Sequence, residues 1–323
     1  MRFAWVFPGQ GSQFVGMGKE LYDESPAAKA VFERVNDALG EKFTDVIFGG
    51  PEQTLTLTEN AQPAILAMSI AVLEATKEAL PGLPAPAFAA GHSLGEYSAH
   101  VAAGSCGLEE TVKLVRARGR AMQNAVPAGT GAMAAILGLP HEEVQAICLE
   151  AANGEPLQCA NYNAPGQTVI AGTVAAVDRA KASLAGKRGK AIQLKVSAPF
   201  HCGLMDPAAR EIDEELKKIR FRKPRFPVIA NFTGAPVYNA EDIHALLVSQ
   251  VSGAVQWQKC VEKMGTAGVT HVIEFGPGKV LTGLVRRIVK PMKILAIGNK
   301  KGIAVLPNYF EGESATVLEK IVG

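Results

Sequence analysis

The chain has 323 residues, 48% of them apolar and 20% charged, with a formal net charge of +2. That composition describes an ordinary globular protein of one large or two modest domains, and so weak a charge argues against a general nucleic-acid binder. No apolar stretch reaches the roughly 20 residues needed to span a bilayer, so no membrane association is expected.

Residues Phe3–Phe7 form a short apolar run closed by Pro8-Gly9, which predicts a buried opening strand and a turn rather than a signal peptide. Helical spacing predicts a helix over Pro63–Ala79, ending before Pro81-Gly82. Phe88–Ala90 is the next predicted strand, followed by helices over Leu94–Ala103 and Leu108–Ala125. Strands alternating with helices predict an α/β domain with a largely parallel sheet. The five cysteines, at 106, 148, 159, 202 and 260, show neither CxxC nor metal-ligand spacing. Free thiols in a reducing cytoplasm are the simplest expectation.

The rhythm then changes. Ala132–Leu137 reads as strand, His141–Ala152 as helix, Leu157–Tyr162 and Thr168–Ala171 as strands, Val174–Leu184 as helix and Ala191–Val196 as strand. The order βαββαβ is the ferredoxin-like signature and predicts a small subdomain over residues 127–197, inserted into a large domain of residues 1–126 and 198–299. Beyond it come a helix (Pro207–Ile219), a strand (Phe226–Asn231), a helix (Ala240–Val251) and a strand (His271–Glu274). Residues 300–323 are expected to be a surface appendage.

Residues 91–96 read GHSLGE. In a GxSxG turn the glycines let a strand pass sharply into a helix, leaving the serine hydroxyl exposed and helical N–H groups aimed at a developing oxyanion. A predicted strand before it and a predicted helix after it make Ser93 a candidate nucleophile. The bland alternative is a Gly-rich connection with a capping serine. Among six histidines, His201 is the favoured base: it sits in SAPFHCGLMDP, a loop at the end of a predicted strand, where catalytic groups are commonly displayed. A hydrolase with this elbow would place its acid between serine and histidine. The carboxylates there are Glu96, Glu109, Glu110, Glu142, Glu143, Glu150, Glu155 and Asp178. All but Glu155 fall on predicted helices, so a Ser-His-Asp triad is poorly supported and another acceptor must orient the base.

The helix carrying Arg116, Arg118 and Arg120 adds a second clue. Positions three and four residues from Arg118 are Leu114, Val115, Ala121 and Met122, so Arg118 points with the apolar stripe and the other two toward solvent. A buried guanidinium is costly unless paired. It either meets a distant carboxylate of the protein or faces a pocket and awaits a carboxylate of the substrate.

These motifs, with FPGQGSQ (7–13), ENAQPA (59–64), RARGRAMQ (116–123), NAPGQTVIAG (163–172), APFHCGLM (198–205), VSQVSGAVQW (248–257) and EFGPGKVL (274–281), resemble in order and spacing the malonyl-CoA:acyl carrier protein transacylases. The resemblance covers the chain to about residue 290 and implies an α/β-hydrolase-like large domain beside the small one. It implies Ser93 as the acylated nucleophile, His201 as base and Gln250 as the residue orienting His201 through its main-chain carbonyl. It implies backbone N–H groups of Leu94 and Gln10 as oxyanion donors, Arg118 as the malonyl-carboxylate clamp, and Gln62 and His92 as lining of the acyl pocket.

Phe200 departs from many discrete bacterial members of that family, whose residue before the histidine is small. The APFH combination resembles malonyl-selective domains of polyketide synthases, and a ring there is expected to crowd an α-methyl group. The implied reaction moves malonyl from malonyl-CoA to the phosphopantetheine thiol of acyl carrier protein through a malonyl-serine, in the cytoplasm, with no metal or cofactor. Carrier proteins are acidic, so a basic docking rim is expected; Lys217–Arg225, Lys187–Lys190 and Arg286-Arg287 are candidates. The rival expectations are a serine esterase or thioesterase, a related acyltransferase of polyketide synthesis, and a non-catalytic loading scaffold.

Overall fold

A computed structural model describes residues 1–196, 198–312 and 318. The strands are β1 (Phe3–Phe7), β2 (Phe88–Gly91), β3 (Gly131–Leu137), β4 (Leu157–Ala164), β5 (Gln167–Thr173), β6 (Lys190–Gln193), β7 (Val228–Ile229), β8 (Pro236–Val237), β9 (His271–Phe275) and β10 (Lys293–Ile297). They form a six-stranded sheet in the order β10-β9-β1-β2-β7-β8 and a four-stranded sheet in the order β4-β5-β3-β6. The large sheet is parallel except for β8, which runs antiparallel to β7 at one edge. The small sheet is antiparallel throughout.

Strand β1 is buried along its whole length because helices cover both faces of the sheet. Strand alternation sends Phe3, Trp5 and Phe7 into a core with the helix Thr58–Ala79. Ala4 and Val6 go to the opposite core, against the helices Trp257–Thr266 and Val280–Ile288. The small sheet is covered on one face by the helices His141–Ala152 and Val174–Ala182, through Ala134, Ile136, Val144, Ile147 and Val177. Its other face, with Met133, Ala135, Val169 and Ala171, joins the main core. Among the described residues no helix is long and apolar enough to cross a membrane.

The register of the large sheet sets out the site. Phe7 lies opposite Gly91 and Ala90 opposite Ile229, so the chains leaving β1, β2 and β7 emerge side by side at one edge. Gln10, Ser93 and Asn231 follow those strands within three residues.

Several expectations are corrected. The helix expected from Pro63 begins at Thr58 and carries Pro63 in its second turn. A proline there forgoes one ladder bond near the helix start, where the loss is smallest, so the helix runs through it. The strand expected over Phe226–Asn231 shrinks to Val228–Ile229, because Pro224 and Pro227 offer no N–H to a ladder. The strand expected to reach Val196 stops at Gln193. Residues 300–310 are not a surface appendage. They form the helices Lys300–Ala304 and Leu306–Phe310, whose Leu306 and Tyr309 are fully buried, the Tyr309 hydroxyl donating to Val272 O at 3.1 Å. Of residues 311–323, all but 311, 312 and 318 lie outside the described residues.

Candidate active site

The turn after β2 is as sharp as the motif predicted. Ser93 has φ of 51° and ψ of −106°, a positive φ that L residues adopt only under constraint. A Cβ on Gly91 would stand 1.9 Å from Gly95 C, and one on Gly95 would stand 2.1 Å from Phe7 O. Both positions therefore require glycine, and their close approach to β1 presses the serine outward. The main chain of the turn is tied to the loop after β7: Ser93 N donates to Asn231 Oδ1 at 2.6 Å, and Asn231 Nδ2 donates to Gly91 O at 2.7 Å.

Ser93 Oγ lies 2.7 Å from His201 Nε2, and His201 Nδ1 lies 2.8 Å from Gln250 O. A carbonyl can only accept, so Nδ1 carries the proton and Nε2 is free to accept from the serine hydroxyl. No carboxylate touches the imidazole among the described residues. His201 also has a positive φ, 59°. Burial, and next the Arg118 charge, push its pKa down to about 3, so the resting imidazole is neutral. The other histidines are engaged elsewhere. His100 meets Ser105 at 3.3 Å, His141 meets Gln258 at 2.7 Å, His244 meets Asp213 at 2.7 Å, and His271 packs on Phe3 and Tyr309.

Arg118 is 1% exposed and faces the serine. Its Nη1 donates to Gln62 Oε1 at 2.8 Å, and its Nη2 donates to Gln250 Oε1 at 2.8 Å and Ser93 Oγ at 3.1 Å. Among the described residues its Nε has no hydrogen-bond partner, and Tyr97 lies beneath the guanidinium with its ring centroid 5.3 Å away. Among the described residues Arg118 enters no ion pair; neutral amides hold it. Its helix approaches the Thr58–Ala79 helix closely because Gly119 has no side chain; a Cβ there would stand 2.6 Å from Thr58 O. Of the two arginines expected in solvent, Arg120 is exposed and pairs with Glu59 at 2.6 Å. Arg116 instead lies over the Phe43 ring and pairs with Glu41 at 2.8 Å.

A cavity of about 190 Å³ runs between the two sheets, lined by Gln10, Gln62, His92, Ser93, Leu94, Arg118, Phe200 and His201 among others. All the site residues expected from the sequence line it except Gln250, which lies buried behind it and reaches Arg118 and His201 from there. His92 leaves the turn away from the serine, its Nε2 2.8 Å from Asn163 Oδ1. Among the described residues the main-chain N–H groups of Leu94 and Gln10 have no acceptor, and both residues border the cavity beside Ser93. Among the described residues no group of three His, Cys, Asp or Glu side chains could hold a metal ion.

The matches to known proteins agree with this geometry. The family model described as acyl transferase domain matches residues 4–317. The chain is 46% identical over 305 residues to the malonyl CoA-acyl carrier protein transacylase of Bacillus subtilis, covering 94% of this chain and 95% of that one. It belongs to the malonyl CoA-acyl carrier protein transacylase family. A crystal structure of this family from Bartonella henselae superposes with a TM-score of 0.92 at 46% identity, covering 96% of this chain and all of that one. Another transacylase, solved in complex with a type II PKS acyl-carrier protein, gives 0.92 at 42% identity over 95% of this chain.

Sequence reasoning missed three residues at this transacylase site. Asn231 anchors the Ser93 turn. Glu96, set aside as a helix carboxylate, is fully buried and accepts from Gln250 Nε2 at 2.8 Å and Asn231 N at 3.1 Å. Lys195, in the strap Leu194–Val196 that replaced the end of the expected strand, borders the cavity. The signal available for Glu96 was its place three residues after Ser93, in the first turn of the helix that the serine opens.

Proposed function

We propose that this chain is an acyltransferase moving malonyl from malonyl-CoA to the phosphopantetheine thiol of acyl carrier protein through a malonyl ester on Ser93. The observation that carries it is Arg118. A buried guanidinium that enters no ion pair among the described residues, held by the Gln62 and Gln250 amides and the Ser93 hydroxyl, suits an acyl group that brings its own carboxylate.

In the proposed mechanism the malonyl carboxylate docks on Arg118, displacing its weak bond to Ser93 Oγ. Pairing the guanidinium also weakens the field that disfavours a proton on His201. Ser93 Oγ then bonds to the thioester carbonyl carbon while its proton passes to His201 Nε2, and Gln250 O steadies the imidazolium through Nδ1–H. The tetrahedral oxyanion is held by the N–H groups of Leu94 and Gln10; one such donor contributes about 10²–10³ in rate. Collapse breaks the C–S bond, and the coenzyme A thiolate takes the proton from His201. The carrier-protein thiol enters by the reverse sequence, its proton going to His201 and the ester oxygen returning to Ser93–OH. Gln62 and His92 border the acyl group, and Phe200 crowds an α-methyl substituent. The chemistry asks for no metal or cofactor.

The finer architecture supports the same reading. The strand order β4-β5-β3-β6 and the βαββαβ sequence suit a ferredoxin-like subdomain over residues 127–197, and the parallel sheet with its strand–serine–helix turn suits an α/β-hydrolase-like large domain over residues 1–126 and 198–299. The acidic carrier protein would meet a basic rim. Within Lys217–Arg225, Lys217 and Lys218 already pair with acidic neighbours and Arg225 bonds Ala102 O, whereas Arg220 and Lys223 enter no ion pair among the described residues. Lys187 stands 3.9 Å from Glu143, and Arg287 bonds Gln167. A cytoplasmic location fits five buried free thiols.

The rival reading, a thioesterase, shares Ser93 and His201 but passes the acyl group to water. Radiolabelled malonyl-CoA, incubated with and without holo carrier protein, separates the two. Transfer predicts label on the carrier and little free malonate; malonate release that the carrier does not suppress would favour hydrolysis.

A further inference from the structure

Buried behind Ser93 is a carboxylate that the proposed reaction does not use. Glu96 sits on the first turn of the helix Leu94–Ala103 and is fully buried. Its Oε2 accepts from the Gln250 side chain at 2.8 Å and from Asn231 N at 3.1 Å, while its Oε1 has no hydrogen-bond partner among the described residues. Gln250 Nε2 donates a second bond to Ser93 O at 2.9 Å. Gln250 Oε1, the other end of the same amide, accepts from Arg118 Nη2 at 2.8 Å.

An amide can be placed either way round in a pocket of this shape, and its neighbours choose. With Nε2 toward Glu96, both Gln250 protons meet oxygens and its oxygen meets a cation. Turned over, its oxygen would face Glu96 Oε2 and Ser93 O, and its NH2 would face the Arg118 guanidinium. Arg118 alone cannot hold this choice through turnover, because its Nη2 must be shared with an incoming carboxylate. We propose that Glu96 is a positioning residue for the acyl-carboxylate clamp: its Oε2 fixes the Gln250 amide so that Oε1 stays on Arg118 and holds the guanidinium toward Ser93.

The bond to Asn231 N couples the same oxygen to the Ser93 turn, since Asn231 Oδ1 holds Ser93 N. The Ser93–His201 pair has its own support in Gln250 O, a main-chain atom that the amide's orientation does not move. Loss of the Glu96 acceptor therefore acts on the clamp more than on the nucleophile.

The test separates reach from charge, and it rests on the malonyl-transfer reading. Glu96→Asp keeps the charge but withdraws the oxygen by one methylene; Glu96→Gln keeps an oxygen at the same reach, which Asn231 N–H obliges to face it, and removes the charge. Malonyl transfer to holo carrier protein is compared with labelling of Ser93 by a serine-directed fluorophosphonate, which reports the Ser93–His201 pair without an acyl carboxylate. Positioning predicts that Glu96→Asp lowers kcat/KM for malonyl-CoA about tenfold or more, the scale of one charge-assisted bond, with labelling within about threefold of wild type. Glu96→Gln restores malonyl transfer to within about threefold. Equal losses in transfer and labelling for Glu96→Asp, or a Glu96→Gln variant as impaired as Glu96→Asp, would overturn the proposal. Failure of the wild type to load the carrier at all would instead remove the malonyl-transfer reading itself.

Discussion

Replacing Arg118 by alanine probes the selectivity of the site. The guanidinium is 1% exposed, and its Nη1 and Nη2 rest on Gln62 and Gln250 at 2.8 Å each. A malonyl carboxylate would take two charge-assisted bonds from it, each contributing about 1.5–3 kcal/mol in a site shielded from water. Losing both corresponds to about 3–6 kcal/mol, or roughly 10²–10⁴ in kcat/KM for malonyl-CoA. Acetyl-CoA brings no carboxylate and leaves the cation unpaired in wild type, so removing Arg118 relieves that penalty. Steady-state transfer to holo carrier protein with each thioester checks both arms. The ratio of malonyl to acetyl kcat/KM is expected to fall by more than the malonyl loss alone. Equal proportional loss on both thioesters would refute the clamp.

Three further outcomes follow from the same geometry. Phe200→Ala, which empties ring volume at the cavity wall, is expected to raise methylmalonyl relative to malonyl kcat/KM about tenfold or more; an unchanged ratio would remove Phe200 from selectivity. Gly95→Ala places a Cβ 2.1 Å from Phe7 O and is expected to lower stability by about 2–3 kcal/mol or more, read by urea unfolding. Burial pushes the Glu96 pKa from 4.5 to about 7, so the folded state holds a proton there that the unfolded state releases. Stability therefore falls as pH rises through that window, and the loss is complete above it. Glu96→Gln removes the titration while leaving Arg118, His201, Tyr97, Cys260, Asn231 and Gln250 around it. The wild-type minus variant stability is expected to be about 3 kcal/mol lower at pH 8 than at pH 4.5, and a pH-independent difference would contradict it.

Local pattern carried much of this molecule. The strand–turn–helix around Ser93 was legible because steric rules act over five residues, and Gly91 and Gly95 each stand against backbone. The direction of Arg118 was legible because helical periodicity tells which face is apolar. His201 was legible from its loop at a strand end, whereas its main-chain acceptor on Gln250 needed the family resemblance, since a carbonyl has no sequence signature. Asn231 and Glu96 were hidden for another reason. Asn231 is the last residue of the strand expected over Phe226–Asn231, but the strand stops at Ile229 and Asn231 leaves the sheet edge beside Ser93. Glu96 looked like any helical carboxylate, because burial by β7 and the Gln250 helix is a property of the assembled fold. Tyr309 and Leu306 were misplaced on the surface because a short apolar stretch at the end of a chain carries no periodicity long enough to reveal its packing.

The most direct measurement of the central claim is peptide mass mapping after incubation with malonyl-CoA alone, followed by addition of holo carrier protein. Covalent transfer through Ser93 predicts a malonyl ester on that residue that accumulates without the carrier, disappears when the carrier is added, and is absent from Ser93→Ala. An adduct on another residue, or transfer to the carrier by Ser93→Ala at the wild-type rate, would contradict it.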